Sequence, residues 1–168
     1  MCMINFSNKK NIINFYKKLK KAQEAYSIIE GISSSVHLPF PDTIQKKIIV
    51  EFCDLSLELS NSKTIDLQHK TTKKLYELKS TTDIEGSTKI GENQAHNADY
   101  LIWAFIDFAE NKMHLKILDL TPLLVRNAII KYSKQKSFKI KKIFEANKIE
   151  YELVVDLLTL KCSKINNE

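Results

Sequence analysis

The run KLYELKS carries the side chains best suited to chemistry in this chain. Glu77 and Lys79 stand two positions apart in an apolar-flanked segment, and residues at that spacing on a β-strand project to the same face. The preceding apolar segment carries Asp66. Two carboxylates and a lysine on one face are the minimal set for holding a hard divalent cation beside an ammonium group, as phosphodiester hydrolysis requires.

A hairpin would bring these side chains together. Residues 64–68 and 75–80 are predicted to be short strands joined by the polar run HKTTKK. If the turn centres on the two threonines of that run, Asp66 lies directly opposite Glu77, with Cβ atoms about 4.5 to 5.5 Å apart. The two carboxylates then share one face of the hairpin.

This arrangement predicts a magnesium site. Asp66 and Glu77 would ligate one Mg²⁺, with the main-chain carbonyl of Leu78 as a further oxygen ligand. Lys79 would orient and help to deprotonate the attacking water, or neutralise the scissile phosphate. Without metal the two carboxylates would repel each other, so metal binding is expected to raise stability.

The same spacing also has a purely structural interpretation, in which the three residues form a surface ion-pair ladder. Glu110 and Lys112, in the run ENK, repeat the acid-x-lysine pattern within a predicted turn. Context separates the two examples, because only Glu77 and Lys79 lie in a predicted strand.

The predicted elements indicate an α/β or α+β domain spanning residues 1–168, with a central mixed sheet flanked by helices. They are helices over 11–30, 42–59 and 123–133, and strands over 64–68, 75–80, 100–108 and 113–120. Residues 81–97 are predicted to be irregular. The pattern of the tail beyond Phe138 fits a hairpin and a helix pair equally well. The helix over 11–30 and the tail over 135–168 are candidates for dimerisation or DNA contact.

Charge favours a polyanionic partner. Lysine and arginine outnumber aspartate and glutamate by 26 to 20, and Arg126 is the only arginine. The surplus equally fits a lysine-rich solvated surface. The three cysteines show no C-x-x-C spacing, no apolar stretch reaches the ~18 residues of a membrane span, and the N-terminus has no apolar h-region. A cytoplasmic protein without membrane contact is therefore expected.

Polar side chains that suit DNA contacts follow the predicted catalytic strand. Amide side chains are the usual bidentate partners of adenine, and hydroxyl and lysine groups suit phosphate or guanine. The candidate DNA-binding residues are Ser87, Thr88, Lys89, Asn93, Gln94, His96 and Asn97. The alternative is a polar loop whose side chains only form turns and caps. His37, His69 and His114 have no partner recognisable from spacing, so no role is assigned to them.

In order along the chain, several short segments resemble the PD-(D/E)XK restriction endonucleases, and more narrowly the small single-domain type II enzymes of the PvuII-like and BisI-like (GCNGC) groups. The segments are HLPFPDTIQKKIIVEF, IDLQ, YELKS, STKIG and LIWAFID, between Leu38 and about Asp107. The resemblance implies a restriction-endonuclease-like fold and a homodimer that uses Mg²⁺ to cleave both strands of a short DNA site. It also implies that the loop after the Lys79 strand reaches into a groove.

The chain departs from that pattern at two places. Gln45 and Lys46 stand where a BisI-like helix has a Ser-Glu pair, so the helical acid that assists the metal is missing or moved to Glu51. The proline expected near Gly91 is absent, which leaves sequence specificity and any dependence on modified cytosine open. Two alternatives to a restriction enzyme are a repair or resolving nuclease of the same fold and a non-enzymatic basic nucleic-acid-binding module.

Overall fold

The computed structural model describes residues 8–30, 38–82 and 84–165, and in these ranges five helices accompany a seven-stranded sheet and a two-stranded ribbon. The helices are α1 (Lys9–Glu30), α2 (Asp42–Phe52), α3 (Glu92–Asn97), α4 (Leu123–Ser133) and α5 (Ile140–Ala146). The strands are β1 (Leu57–Leu59), β2 (Leu67–His69), β3 (Leu75–Thr81), β4 (Ser87–Thr88), β5 (Tyr100–Asp107), β6 (Lys112–Asp119), β7 (Phe138–Lys139), β8 (Tyr151–Asp156) and β9 (Lys161–Lys164).

The large sheet has the order β1-β2-β3-β5-β6-β8-β9, in which β3 and β5 are parallel and all other neighbours are antiparallel. A parallel pair needs a crossover of a dozen or more residues, because the chain must return to the starting end of the sheet. Residues 82–99 supply it and contain β4, which pairs with β7, and α3. The crossover therefore carries α3 back beside β3.

Apolar side chains cover both faces of the sheet. Helices α1 and α2 pack on the face that carries Leu78 and Ile102, and α3, α4 and α5 pack on the face that carries Leu101 and Trp103. This division follows from the alternation of successive strand residues between the two faces. Since Leu78 belongs to the α1–α2 side, its neighbours on β3, Glu77 and Lys79, project to the α3 side.

The structure confirms the α+β class and the hairpin register predicted from the sequence. Leu67 pairs with Tyr76 and Gln68 with Leu75, which is the register of a turn centred on the two threonines of HKTTKK. Helix α4 has the predicted bounds, and β5 and β6 form the predicted strand pair.

Two predicted elements were wrong in extent. The second helix ends at Phe52, because Cys53 is extended and Ser56 has a φ of 53°, and Leu57–Leu59 pairs with β2 as an edge strand. The strand predicted over 64–68 begins only at Leu67, which leaves Asp66 just before it.

Sheet pairing also overrode the expectation of an irregular stretch over 81–97, which contains β4 and α3. The ambiguous tail forms β7, α5 and the β8–β9 hairpin, so it is part of the folded core. None of the helices in the described ranges is long and apolar enough to span a membrane.

Candidate active site

The hairpin of β2 and β3 brings Asp66 and Glu77 together as the sequence predicted. Asp66 Oδ2 accepts a hydrogen bond from the main-chain N–H of Leu78, at 2.9 Å. That bond anchors the aspartate on the backbone of β3, next to Glu77 and just before the first residue of β2. The two carboxylates also interact electrostatically, since the charge of Asp66 raises the pKa of Glu77.

The carbonyl of Leu78 points towards the same edge of β3. In a β-strand the N–H and C=O of one residue point to the same side, and the N–H of Leu78 is directed at Asp66. Strand β2 begins only at Leu67, so it has no residue paired with Leu78. This geometry suits the predicted role of Leu78 as a backbone oxygen ligand.

Each carboxylate has a lysine as its counter-ion. Lys79 Nζ lies 2.7 Å from Glu77 Oε1, and Lys46 Nζ lies 2.5 Å from Asp66 Oδ1. Lys46 belongs to α2 on the other side of the sheet and reaches Asp66 past the end of β2. The repulsion expected between the two carboxylates is therefore largely offset by the protein's own ammonium groups.

Glu77 is the most unusual group of the site. Its side chain is 1% exposed, and neither carboxylate oxygen has a hydrogen-bond partner of acceptable geometry among the described residues, although Lys79 is within ion-pair distance. Burial raises the pKa of this carboxyl to about 7, against the opposing charges of Lys79 and Lys46. A buried carboxylate whose Oε2 has no donor among the described residues is suited to binding a cation.

Gln94 on α3 hydrogen-bonds to Lys79. Its Oε1 accepts a hydrogen bond from Lys79 Nζ at 3.3 Å and another from the main-chain N–H of Gly91 at 2.7 Å. The second bond fixes the amide at the start of α3, and the first then restricts the ammonium group. Gln94 thus lies inside the site, where a positioning role fits better than base reading.

If this site hydrolyses DNA, Gln94→Ala is expected to lower the single-turnover cleavage rate roughly 10- to 100-fold, because a hydrogen bond to a charged group contributes on the order of 1.5 to 3 kcal/mol. DNA affinity should fall less than the rate, since Oε1 of Gln94 is directed at Lys79 and the N–H of Gly91. Glu92→Ala, an exposed change on the same helix, is the control. Equal rates for the two variants would contradict the positioning role.

A cleft of about 390 Å³ opens beside Asp66 and Lys46. Its remaining polar lining consists of hydroxyl groups, one further lysine and the amide of Gln94, which are the groups that bind phosphate oxygens. The lining residues are Thr43, Lys46, Leu59, Ser60, Ser62, Lys63, Thr64, Ile65, Asp66 and Gln94. This cleft could not be predicted from the sequence, because its walls come from α2, the β1–β2 connection and α3.

The other predicted DNA-binding residues fall into two groups. Asn93, His96 and Asn97 are exposed on α3, and the main-chain carbonyl of His96 accepts a hydrogen bond from Arg126 of α4. Ser87 and Thr88 form β4, followed by Lys89; Ser87 and Lys89 are exposed and Thr88 is half-buried. Both groups belong to the crossover that follows the Lys79 strand.

Glu51, the alternative helical acid, is not brought to the site. It pairs with Lys47 one turn earlier on α2, and five residues of helix place it about 140° around the axis from Lys46. In the position where an acid was expected, Lys46 contacts Asp66, and buried Gln45 donates to the carbonyl of Phe40.

A second acidic cluster lies at the turn between β5 and β6. Ligand atoms of Asp107, Glu110 and His114 are within 4.8 Å of one another. Turn chemistry accounts for the two acids, because Asp107 Oδ1 accepts from the N–H groups of Ala109 and Glu110, and Glu110 pairs with Lys112. The ENK pattern is thus an exposed turn pair, as its sequence context indicated.

Several groups that the sequence left open have structural partners. Lys139 and Lys141 pair with Glu85 at 3.5 and 2.5 Å, and Trp103 is a core residue whose Nε1 donates to Thr81 Oγ1 at 2.9 Å. His69 Nδ1 accepts from the N–H groups of the following turn. His37 lies outside the described residues.

Sequence reasoning missed Lys46 as a member of the site and noted it only where an acid was expected. That departure was the available signal, since it marked a helix position near the predicted metal ligands. Comparison of the chain with protein-family models, with curated proteins and with solved structures gave no match.

Proposed function

We propose that this chain is a magnesium-dependent endonuclease of the PD-(D/E)XK type that hydrolyses double-stranded DNA. The observation that carries the proposal is the register of β2 and β3, which sets Asp66 beside Glu77 and puts Lys79 on the same face. An exposed ion-pair ladder does not need a carboxylate that is 1% exposed.

The donor set fits magnesium. Asp66, Glu77 and the carbonyl of Leu78 offer only hard oxygen atoms. Both oxygens of Glu77 are buried; Oε1 is paired with Lys79, and Oε2 has no hydrogen-bond donor among the described residues. When bound there, Mg²⁺ would stabilise charge on the phosphate and make a coordinated water more acidic.

The remaining groups supply positioning. Lys79, restrained by Glu77 and Gln94, would orient the attacking water and stabilise negative charge at the phosphate. The hydroxyl groups and Lys63 of the cleft beside Asp66 would bind the backbone of the cleaved strand.

Sequence specificity is the finer part of the proposal. The exposed side chains of Asn93, His96 and Asn97 lie on the helix that also supplies Gln94 to the site, so a base-reading surface would be rigidly linked to the catalytic lysine. This linkage favours a site-specific type II enzyme, with or without dependence on modified cytosine, over a nuclease that recognises DNA shape.

Cleavage of both strands at one site would need a homodimer. Two surfaces are available for it: the outer end of α1, where Tyr26 is 47% and Ile28 80% exposed, and the edge strand β9. Both belong to the segments proposed from the sequence for dimerisation.

Digestion of phage DNA tests the function. The protein is incubated with unmodified and cytosine-methylated phage DNA in Mg²⁺, with EDTA as the control. Discrete fragments are the expected result, and their restriction to methylated DNA would identify modification dependence. A smear, or preference for a branched substrate, would favour a repair or resolving nuclease, whereas DNA binding without cleavage would favour the non-enzymatic module.

A further inference from the structure

Lys46 holds a position that competes with a metal ion. Its Nζ lies 2.5 Å from Asp66 Oδ1, and the other oxygen, Oδ2, already accepts the N–H of Leu78. The charge of Lys46 also acts on Glu77, whose pKa it lowers. The ammonium group is thus the counter-ion of the carboxylate that the proposed function assigns to magnesium.

Because Asp66 Oδ2 is bonded to the N–H of Leu78, a divalent ion and the ammonium group of Lys46 compete for Oδ1, whereas Glu77 has a second oxygen, Oε2, that Lys79 does not occupy. At about 4 Å the interaction between unit charges corresponds to a factor of roughly five in water and far more at a partly buried site. One of the two cations must therefore leave when the other binds.

Of the two lysines at the site, Lys46 is the more exposed and is held by fewer contacts. Lys79 is 14% exposed and contacts both Glu77 and Gln94. Lys46 is 22% exposed and lines the cleft of hydroxyl groups and Lys63 beside Asp66. Its long side chain can leave Asp66 and remain within that cleft.

We propose that Lys46 is a resident counter-ion that a divalent ion must displace from Asp66, and that the displaced ammonium group binds a DNA phosphate in the adjacent cleft. This inference rests on the proposed function. DNA then draws Lys46 away from Asp66 and strengthens metal binding, and metal strengthens DNA binding by the same factor, because coupling of this kind is reciprocal.

Calorimetric titration with Ca²⁺, which replaces Mg²⁺ so that DNA stays intact, tests the inference without a readout of activity. Without DNA, Lys46→Gln is expected to bind Ca²⁺ roughly tenfold more tightly than the parent protein, because the competing charge is gone. Lys46→Arg keeps the charge and should bind Ca²⁺ at least as weakly as the parent. Lys47→Gln makes the same charge change one residue away, where the side chain pairs with Glu51, and should leave the affinity unchanged.

Addition of a short DNA duplex gives the second expected result. The affinity of the parent for Ca²⁺ should rise, and the rise should be several-fold smaller for Lys46→Gln, which has no ammonium group to transfer. Equal Ca²⁺ affinities for the parent, Lys46→Gln and Lys47→Gln would overturn the role of Lys46.

Asp66→Asn separates this inference from the proposed function. Loss of Ca²⁺ binding in Asp66→Asn locates the ion at Asp66. The comparison of the lysine variants then tests the role of Lys46 separately from the existence of the metal site. If Asp66→Asn binds Ca²⁺ like the parent, or the parent binds none even with DNA, the proposed metal site fails and the inference fails with it.

Discussion

Asp66→Asn and Lys79→Met are each expected to lower Mg²⁺-dependent DNA cleavage by about 10²- to 10⁴-fold, the range measured when one acid–base or charge-stabilising group is removed. Asp66 is anchored on the backbone of β3 and paired with Lys46, and Lys79 lies 2.7 Å from Glu77. Asp66→Asn keeps an acceptor for the N–H of Leu78, and Glu77 can take up a proton when its counter-ion Lys79 is lost, so both variants are expected to fold. Circular dichroism of each variant checks this. Single-turnover cleavage of a plasmid in Mg²⁺ measures the effect, and DNA affinity in Ca²⁺ should fall far less than the rate.

The chain provides its own matched control for this experiment. Glu110 and Lys112 have the same spacing and also form an ion pair, at 2.6 Å, but both are largely exposed at the β5–β6 turn. Glu110→Gln and Lys112→Met should therefore cleave DNA at the parental rate. Cleavage that survives Asp66→Asn or Lys79→Met would show that the site has been misassigned.

The part of the site that lies within one hairpin could be predicted from the sequence. Strand alternation puts Glu77 and Lys79 on one face, and the length of the polar turn sets Asp66 opposite Glu77; both rules act over a few residues. The observed pairing of Leu67 with Tyr76 follows the same register. Local geometry thus sufficed for three of the residues that converge here.

The residues that come from other elements could not be placed in this way. Gln94 reaches Lys79 only because β3 and β5 are parallel and the crossover returns α3 to this face. Lys46 reaches Asp66 because α2 packs on the opposite face and β2 begins only after Asp66, at Leu67. Parallel pairing and helix packing are decided by long-range contacts, which single-sequence periodicity does not contain.

Tertiary contacts also decided where α2 ends. The apolar residues up to Leu59 continue the helical spacing of the preceding segment, and this spacing predicted one long helix. Pairing of Leu57–Leu59 with β2 supplies backbone hydrogen bonds at the sheet edge instead. The shorter helix matters for the site, because the connection after it lines the cleft beside Asp66.

Removing the carboxylate of Glu77 is expected to make the metal-free protein less sensitive to pH. Burial raises the pKa of this group to about 7, from an ordinary value near 4.5. Below the unfolded pKa both states are protonated and the shift has no effect. As pH rises from 4.5 to 7 the unfolded chain gives up its proton first, so the free energy of unfolding falls, by about 1.4 kcal/mol per pH unit at most.

Glu77→Gln lacks this titration, so its stability relative to the parent should rise by about 2 to 3 kcal/mol between pH 5 and pH 8. Urea unfolding in EDTA at the two pH values measures the change, and the pH-independent cost of a buried amide cancels in the comparison. Glu51→Gln, at an exposed position, controls for the loss of one negative charge. Parallel pH dependence of the parent and Glu77→Gln would contradict the raised pKa.

Added Ca²⁺ connects this instability to function. A metal ion that binds the folded state stabilises it by an amount that grows with the logarithm of its concentration divided by its Kd. The parent should therefore recover stability at pH 8 on addition of Ca²⁺, whereas Glu77→Gln, which has lost a charged ligand, should recover much less. The carboxylate then costs stability in the metal-free protein and contributes it in the metal-bound one. Such a reversal is expected of a group retained for binding, since a neutral side chain at this buried position would make the metal-free protein more stable.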